Sequence, residues 1–330
     1  MGGRKMPRKL RIGTFNLQWG LPNAAQSSLP PNAAAFLIPP AERRAAFAAT
    51  ARKIAELKLD LLALQEVDNG RFRSARQQQT AYLAKELGMQ GYFVPVARSW
   101  KPVFSTLQPL GEEASGTYGI SLLSRYPVRQ VYSQRLAEEW QFWRRRENTD
   151  SLCKYRVHIT EPRRCVYAEI AVPGFPRPLL FASTHLSTEP RAGMAQLAEA
   201  AAGFAQLEKK CFGFRKLAGG SELPAHGVQP AESDRFVQTE LSAGTVLPAI
   251  LAGDFNMRAP SVEKVRASSP YMQDFAPESS SLPTYPAATP RYPIDHILGR
   301  GVKISYQAAL PFAISDHCLL LAEASLEDSL

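Results

Sequence analysis

Residues 246–256 read VLPAILAGDFN, an apolar run from Val246 to Ala252 that stops at once in Gly253-Asp254-Phe255-Asn256. A short aliphatic run bounded by turn formers predicts a buried strand, because a helix of the same character needs about ten or more residues of helical spacing. The same arrangement recurs along the chain. Apolar runs lead into Asn16 (from Leu10), Glu66 (after Leu61 to Gln65) and His185 (after Leu179 to Thr184), while Asp295 opens a run to Leu298 and Asp316-His317 precede one from Cys318 to Ala324. Further strand-like runs cover Gly119 to Ser124 and Cys165 to Val172. Residues able to do chemistry therefore sit at strand ends, where a rigid sheet can aim loop side chains into a shared cleft.

Between these runs, two stretches have helical spacing: Pro40 to Lys58, with Pro39 and Pro40 as start signals, and Gly193 to Lys210, rich in Ala, Leu and Gln. Three stretches read as loops: Leu21 to Pro39, Gly219 to Ser233, and Pro277 to Pro293, whose five prolines exclude a regular helix or an inner strand. None divides the chain into halves with separate cores, and no internal repeat is visible. One domain over residues 1–330 is expected, of α+β or layered α/β class, since strands and helices mix without strict alternation.

With 45% hydrophobic and 21% charged residues in 330, the chain is neither disordered, collagen-like nor coiled-coil. No apolar run approaches the eighteen or so residues of a transmembrane helix. Four cysteines without Cys-x-x-Cys spacing do not make a disulfide scaffold, which fits a reducing interior and a cytoplasmic location. Of the net charge of +9, five charges come from Arg4, Lys5, Arg8, Lys9 and Arg11, so residues 1–9 read as a basic tail. That tail leads into a strand-like run and not into an apolar block with a cleavage site, so it does not read as a secretory signal.

A second basic cluster spans 135–165, where eight Arg or Lys face five acids. Within it, Trp140-Gln141-Phe142-Trp143-Arg144-Arg145-Arg146 interleaves aromatics with guanidinium groups, suited to stacking on bases and pairing with phosphates. The same composition suits an anionic lipid headgroup or the exposed side of an amphipathic helix.

The strand-end residues match what a phosphate ester hydrolase using hard cations requires. Mg²⁺ takes one or two carboxylates, keeps several waters and completes its shell with substrate oxygens, so Glu66 with help from Asn16 suffices. Asp254 can accept a proton from an attacking water or orient it; Asn256 and His185 can donate to non-bridging oxygens as charge develops. His317 needs a fixed tautomer to act on the phosphate or the water, and Asp295 is the kind of carboxylate that fixes one. Taken singly, each of these short motifs is an ordinary turn; it is their company that carries weight.

Seven stretches carry a resemblance: Thr14-Phe15-Asn16, Leu64-Gln65-Glu66-Val67, Tyr118-Gly119 with Leu123-Ser124-Arg125-Tyr126-Pro127, Ser183-Thr184-His185-Leu186, Gly253-Asp254-Phe255-Asn256, Ile294-Asp295-His296 and Ser315-Asp316-His317. In this order they resemble the endonuclease/exonuclease/phosphatase superfamily, which includes pancreatic deoxyribonuclease, apurinic endonucleases, tyrosyl-DNA phosphodiesterases, inositol polyphosphate 5-phosphatases, neutral sphingomyelinases and deadenylases. The resemblance implies a four-layer αββα sandwich with two mixed sheets and a cleft at one end. It implies an enzyme that hydrolyses P–O bonds with Mg²⁺ or Mn²⁺. The metal residues would be Glu66, Asn16 and Asp316; the catalytic group would comprise Asp254, His317, His185, Asp295 and Asn256. Tyr118, Arg125, Trp143, Arg144 and Arg145 are the expected substrate contacts.

A phosphodiester is the expected substrate, nucleic acid first and lipid or inositol phosphate second. An inactive binding protein on the same fold is the competing reading, disfavoured because every metal and water-activating position holds a competent residue. Three departures stand out. Gln18 replaces an acid that assists the metal in some nucleases. Ile120-Ser121 follow Gly119 where many members have Asn. Sixty-eight residues separate His185 from Asp254, so 213–238 is an expected insertion that tunes substrate preference. Oligomeric state is not readable from the sequence.

Overall fold

The computed structural model describes residues 9–22, 37–98, 116–137, 143–145, 155–157, 162–208, 215–216, 246–276 and 281–326. In chain order the strands are β1 (Leu10–Asn16), β2 (Leu61–Asn69), β3 (Gln90–Arg98), β4 (Thr117–Ser124), β5 (Val128–Arg135), β6 (Trp143–Arg145), β7 (Tyr155–Val157), β8 (Arg164–Ile170), β9 (Leu179–His185), β10 (Arg215–Lys216), β11 (Ala249–Asp254), β12 (Asp295–Arg300), β13 (Val302–Leu310) and β14 (Leu319–Leu326). The helices are α1 (Pro40–Glu56), α2 (Gln79–Leu87), α3 (Pro190–Glu208) and α4 (Ala259–Ser268).

Both large sheets are mixed. The first has the order β13-β14-β1-β2-β4-β3, parallel only at β1–β2. The second has the order β5-β8-β9-β11-β12, parallel only at β9–β11, and the two-residue β10 extends its β5 edge. Side chains alternate along each strand, so every second residue faces the other sheet. Leu10, Ile12, Leu61 and Ala63 meet Val166, Phe181, Ile250 and Ala252 in one buried layer between the sheets. The residues between them face outward: Phe15, Leu62 and Leu64 pack with Phe47, Ile54 and Leu83 of α1 and α2. On the far side, Tyr167, Leu180 and Leu251 pack with Leu197, Phe204, Val262 and Val265 of α3 and α4. The result is the αββα sandwich of the sequence reading, and among the described residues no helix is long and apolar enough to cross a membrane.

Several elements differ from the sequence reading. β3, β5 and β13 were not among the expected apolar runs because they lie at or next to sheet edges and are not buried throughout; β13, for one, alternates buried with exposed residues. The segment around Trp143 is a strand paired with β7, Trp143 opposite Val157, and not a helix. The expected insertion at 213–238 lies outside the described residues except for β10, and so does the basic tail up to residue 8. Among the described residues, Cys165 and Cys318 are buried free thiols.

Gly203 lets α3 lie close to the second sheet. A Cβ there would stand 2.2 Å from the Tyr167 hydroxyl and 2.7 Å from Gln134 Oε1, two atoms that are themselves 2.7 Å apart in a buried hydrogen bond. Intrinsic propensity favours alanine over glycine in a helix by about 1 kcal/mol, whereas overpacking a tight contact costs about 1–3 kcal/mol. The second effect is expected to win, so Gly203→Ala should lower the urea unfolding midpoint. A raised midpoint would mean that α3 has room to shift.

Candidate active site

Strand register brings the polar residues together before any side chain is considered. Asp254 stands opposite His185 in the parallel pair β9–β11 and opposite Asp295 in the antiparallel pair β11–β12. In the first sheet, Asn16 stands opposite Gln65. Alternation that places Ile12, Ala63, Phe181 and Ala252 between the sheets therefore continues into Thr14, Asn16, Gln65, Ser183, His185 and Asp254 at one end of the sandwich. The inter-sheet face turns from apolar to polar there, and its buried groups find one another: Thr14 Oγ1 donates to Gln65 Oε1 (3.3 Å) and Gln65 Nε2 donates to Ser183 Oγ (3.3 Å) across the seam.

The centre is Asp254, 1% exposed. Its Oδ1 accepts the Asn256 backbone N–H at 2.9 Å, and its Oδ2 accepts Asn16 Nδ2 at 3.0 Å from the opposite sheet. Asn16 Nδ2 also donates to Glu66 Oε1 at 3.3 Å, while Asn16 Oδ1 accepts the Gln18 backbone N–H at 3.0 Å. The amide thus shows its NH₂ end to both carboxylates and its oxygen to the backbone. His185 Nε2 and His317 Nε2 lie 3.5 and 3.7 Å from Asp254 Oδ2. His317 Nδ1 donates to Asp295 Oδ2 at 2.9 Å, and the Tyr285 ring lies against the imidazole with centroids 4.9 Å apart.

The two histidines that flank Asp254 are held in different states. Burial pushes His185 well below the usual imidazole range, with the positive charges of Arg163 and His317 adding to it. Asn256 Nδ2, which donates to the Leu186 carbonyl at 3.0 Å, lies 3.1 Å from His185 Nε2, so a neutral His185 accepts there and carries its proton on Nδ1. Burial would push His317 down as well, but Asp295, Asp254 and Asp316 outweigh it and raise the imidazole to about 10. Asp254 is itself raised to about 6, by burial first and by Asp295 next, against the pull of His317.

Backbone strain gathers at the same end. β2 carries a bulge between Leu64 and Val67, and within it Glu66 takes a left-handed φ of 52°. Gln18, Asn256 and Ser315 are also left-handed, with φ of 41°, 52° and 75°. Such residues cost about 1–3 kcal/mol each and persist where surrounding structure fixes them. Here Ser315 Oγ donates to the Asn16 carbonyl (2.6 Å) and accepts the His317 N–H (3.0 Å), tying the loop before β14 to β1.

A divalent cation fits this chemistry. Asp254, Asp295 and Asp316 crowd around one imidazolium, Glu66 is joined to them through the Asn16 amide, and burial raises the Asp316 carboxyl as well as that of Asp254. Excess buried negative charge with hard oxygen donors is what Mg²⁺ or Mn²⁺ relieves. Gln18 Nε2 donates to Asp316 Oδ2 at 2.9 Å, so the residue at the departure noted above holds this carboxylate in place. Asp254, Asp295 and His317 offer ligand atoms within 4.8 Å of one another. His317 Nδ1 is already engaged by Asp295 Oδ2, while Asp295 Oδ1 is buried without a hydrogen-bond partner among the described residues.

The expected substrate contacts divide. Tyr118 borders the cleft on β4, with the Arg73 guanidinium 5.2 Å from its ring centroid. Arg73 in turn stacks on Trp19 at 3.6 Å and binds Asp68 through two hydrogen bonds of 2.8 Å. Arg125 is not at the site. β4 runs antiparallel to β2, so Gly119 lies beside Val67 while Ser124 lies beside Leu61 at the far end, and Arg125 donates from Nε and Nη2 to the Leu59 carbonyl there. Its role is to close the start of β2. Trp143, Arg144 and Arg145 form β6, and their side chains lie outside the described residues. His296 points to the opposite face as alternation predicts: it is buried, 2.8 Å from the Met257 carbonyl and against Phe255. The sequence reading missed Tyr285, Ser315 and Arg163 as site residues. Tyr285 and Ser315 lie in loops without periodicity, and Arg163 was counted only as one charge of a basic cluster.

The family model described as Endonuclease/Exonuclease/phosphatase family matches residues 13–317. The chain is similar to an endonuclease/exonuclease/phosphatase family protein of Bacteroides thetaiotaomicron, at 13% identity and TM-score 0.60 over 98% of each chain. It is similar to the human Nocturnin catalytic domain solved with a bound sulfate anion, at 17% identity and TM-score 0.55 over 97% of this chain and 94% of that one. A third likeness is to a mannosyl-6-phosphatase of Bacteroides thetaiotaomicron, at 13% identity and TM-score 0.53 over 96% and 100%. No curated protein sequence matches. At these identities the likenesses establish the fold.

The His317 state is measurable. A histidine raised from 6.5 to about 10 stabilises the fold fully below pH 6.5, and the contribution is lost as pH rises through 10. In metal-free protein, NMR titration of the imidazole should give an elevated value, and Asp295→Asn should bring it back toward 6.5. A His317 that titrates normally in the wild type would break the dyad.

Proposed function

Since the chain belongs to the endonuclease/exonuclease/phosphatase family, a family of phosphoester hydrolases, we propose that it is a Mg²⁺- or Mn²⁺-dependent phosphodiesterase that cleaves a P–O bond by in-line attack of water. The observation that carries this reading is the meeting at Asp254 of the Asn16 amide, 3.0 Å away, and the His317 imidazole, 3.7 Å away, both carried by the first sheet, with Asp295 beside Asp254 on the second sheet orienting His317.

Asp254 is the base. A carboxyl raised to about 6 is ionised at neutral pH yet basic enough to take a proton from water, and the Asn16 and Asn256 N–H groups fix its direction. His317, kept protonated by Asp295, turns its Nε2–H toward the same space and donates to a phosphoryl oxygen as negative charge grows there. Asn256 and His185, 3.1 Å apart, stand on the other side, and the Asn256 amide turns to a non-bridging oxygen by giving up its bond to His185 Nε2. Glu66 and Asp316 hold the metal, with Asn16 and Gln18 keeping their carboxylates in place. When bound, the divalent ion supplies charge neutralisation for the phosphoryl group and its leaving oxygen.

Nucleic acid is the first substrate reading, because the basic cluster at 135–165 favours a polyanion. A screen over single- and double-stranded DNA, RNA, inositol phosphates, sphingomyelin and a chromogenic diester, with Mg²⁺, Mn²⁺ or chelator, tests it against the lipid and inositol phosphate alternatives. Turnover is expected only with metal. Glu66→Gln, Asp254→Asn and His317→Ala should each lower kcat by about 10²-fold or more, with circular dichroism retaining the folded spectrum. Full activity in any of the three would defeat the assignment.

A further inference from the structure

Three consecutive residues past β1 are left-handed: Gln18, Trp19 and Gly20, with φ of 41°, 62° and 71°. Glycine adopts that region freely, whereas a residue with a Cβ stays there only where its surroundings hold it. Two groups of the candidate site depend on this turn. The Gln18 backbone N–H fixes Asn16 Oδ1 at 3.0 Å, and Gln18 Nε2 fixes Asp316 Oδ2 at 2.9 Å. The turn therefore sets which way Asn16 shows its NH₂ end and how Asp316 is held.

What holds the turn comes from other elements. Gln79, the first residue of α2, donates from Nε2 to the Trp19 carbonyl at 2.5 Å and accepts the Asp68 backbone N–H on Oε1 at 2.8 Å. Gly20 leaves room for this arm: a Cβ there would stand 2.8 Å from Gln79 Nε2 and 2.7 Å from the Phe47 ring. Arg73 holds the Trp19 side chain. Its guanidinium lies 3.6 Å from the indole ring centroid while its Nε and Nη2 donate to the two oxygens of buried Asp68, each at 2.8 Å. Arg43 from α1 in turn donates to the Phe72 and Arg73 carbonyls and fixes the loop that carries Arg73. A planar guanidinium can serve a carboxylate with its edge and an aromatic ring with its face at once, which an ammonium group cannot do.

Asp68 connects this turn to the other strained segment of the site. β2 bulges between Leu64 and Val67, with Glu66 left-handed, and the ladder to β4 resumes with Val67 opposite Gly119 and Asp68 opposite Tyr118. The chain of contacts Asp68–Arg73–Trp19 thus joins the segment that presents Glu66 to the turn that orients Asn16 and Asp316. We propose that Arg73 is a positioning residue for the divalent-ion site, acting through Asp68 and Trp19 to fix the turn Gln18–Gly20 against the β2 bulge. The inference rests on the metal-dependent hydrolase reading and adds to it the brace that keeps the oxygen donors in register.

Two variants test the brace without stranding a buried charge. Arg73→Lys keeps a cation beside Asp68 and loses the fork and the flat face; Trp19→Leu removes the ring and leaves the Arg73–Asp68 pair whole. Calorimetric titration of Mn²⁺ into metal-free protein should show binding about 10-fold weaker in each variant, and the Mg²⁺ concentration for half-maximal turnover should rise by the same factor. Hydrogen exchange followed by NMR reads the turn without metal. In both variants the Gln18 amide should exchange roughly 2- to 30-fold faster, the equivalent of one lost cation–π contact, while amides within β1 and β14 keep their wild-type rates. Unchanged Gln18 exchange in either variant overturns the proposal, as does faster exchange throughout β1 and β14, which would mean general loosening. Faster Gln18 exchange with unchanged Mn²⁺ affinity also overturns it, because the turn would then not govern the ion site. A wild-type chain that binds no Mn²⁺ defeats the hydrolase reading instead, and Gln18 exchange then decides alone whether Arg73 sets the turn.

Discussion

A buried carboxylate must be met by donors or it will not stay buried, and Asp254 is met from both sheets at once. An uncompensated buried charge costs several kcal/mol. The Asn16 amide from β1, the Asn256 backbone N–H beyond β11 and the His317 imidazolium before β14 offset that cost together. The rest of the site is arranged around this requirement. Asn16 can reach Asp254 only because its oxygen is held by Gln18, and His317 only because Asp295 and Ser315 hold it from two directions. Packing brings the sheets together through apolar side chains; the polar seam at one end determines their alignment.

The left-handed residues belong to the same logic. Glu66 sits in a bulge of β2 and Asn256 just past the end of β11, and in each case the backbone departs from the strand to present a side chain at the cleft. Regular strands would alternate these residues to fixed faces. Local strain re-aims them, and the surrounding ladder of hydrogen bonds supports the strained conformation.

Much of this was legible in the chain. Asn16, His185, Asp254 and Asp295 each end or begin an apolar run, and strand register then sets three of them side by side, so position in the run was sufficient to find them. Glu66 was legible as a strand-end acid, although its bulge was not, since a one-residue register shift leaves no mark on composition. Arg125 was expected at the site from the resemblance of the stretch that holds it, but a strand has two ends, and Leu123 to Pro127 lie at the one away from Asp254. Tyr285 escaped notice because a proline-rich loop has no period from which its facing could be read, yet its ring covers His317. Arg163 was visible only as charge, and its nearness to His185 follows from the pairing of β8 with β9, which no local pattern displays.

The way the sheets are joined has a mechanical consequence. Within each sheet, backbone hydrogen bonds resist distortion, whereas across the interior the contacts run through side chains, one of them from Ser183 Oγ to the Leu64 carbonyl at 3.4 Å. A shear of one strand residue, about 3.3 Å, would carry Asn16 past Asp254 and break the bond between them. Sliding of that size is opposed by the apolar filling between the sheets and by Gly301, the one-residue link that ties β12 of the second sheet to β13 of the first.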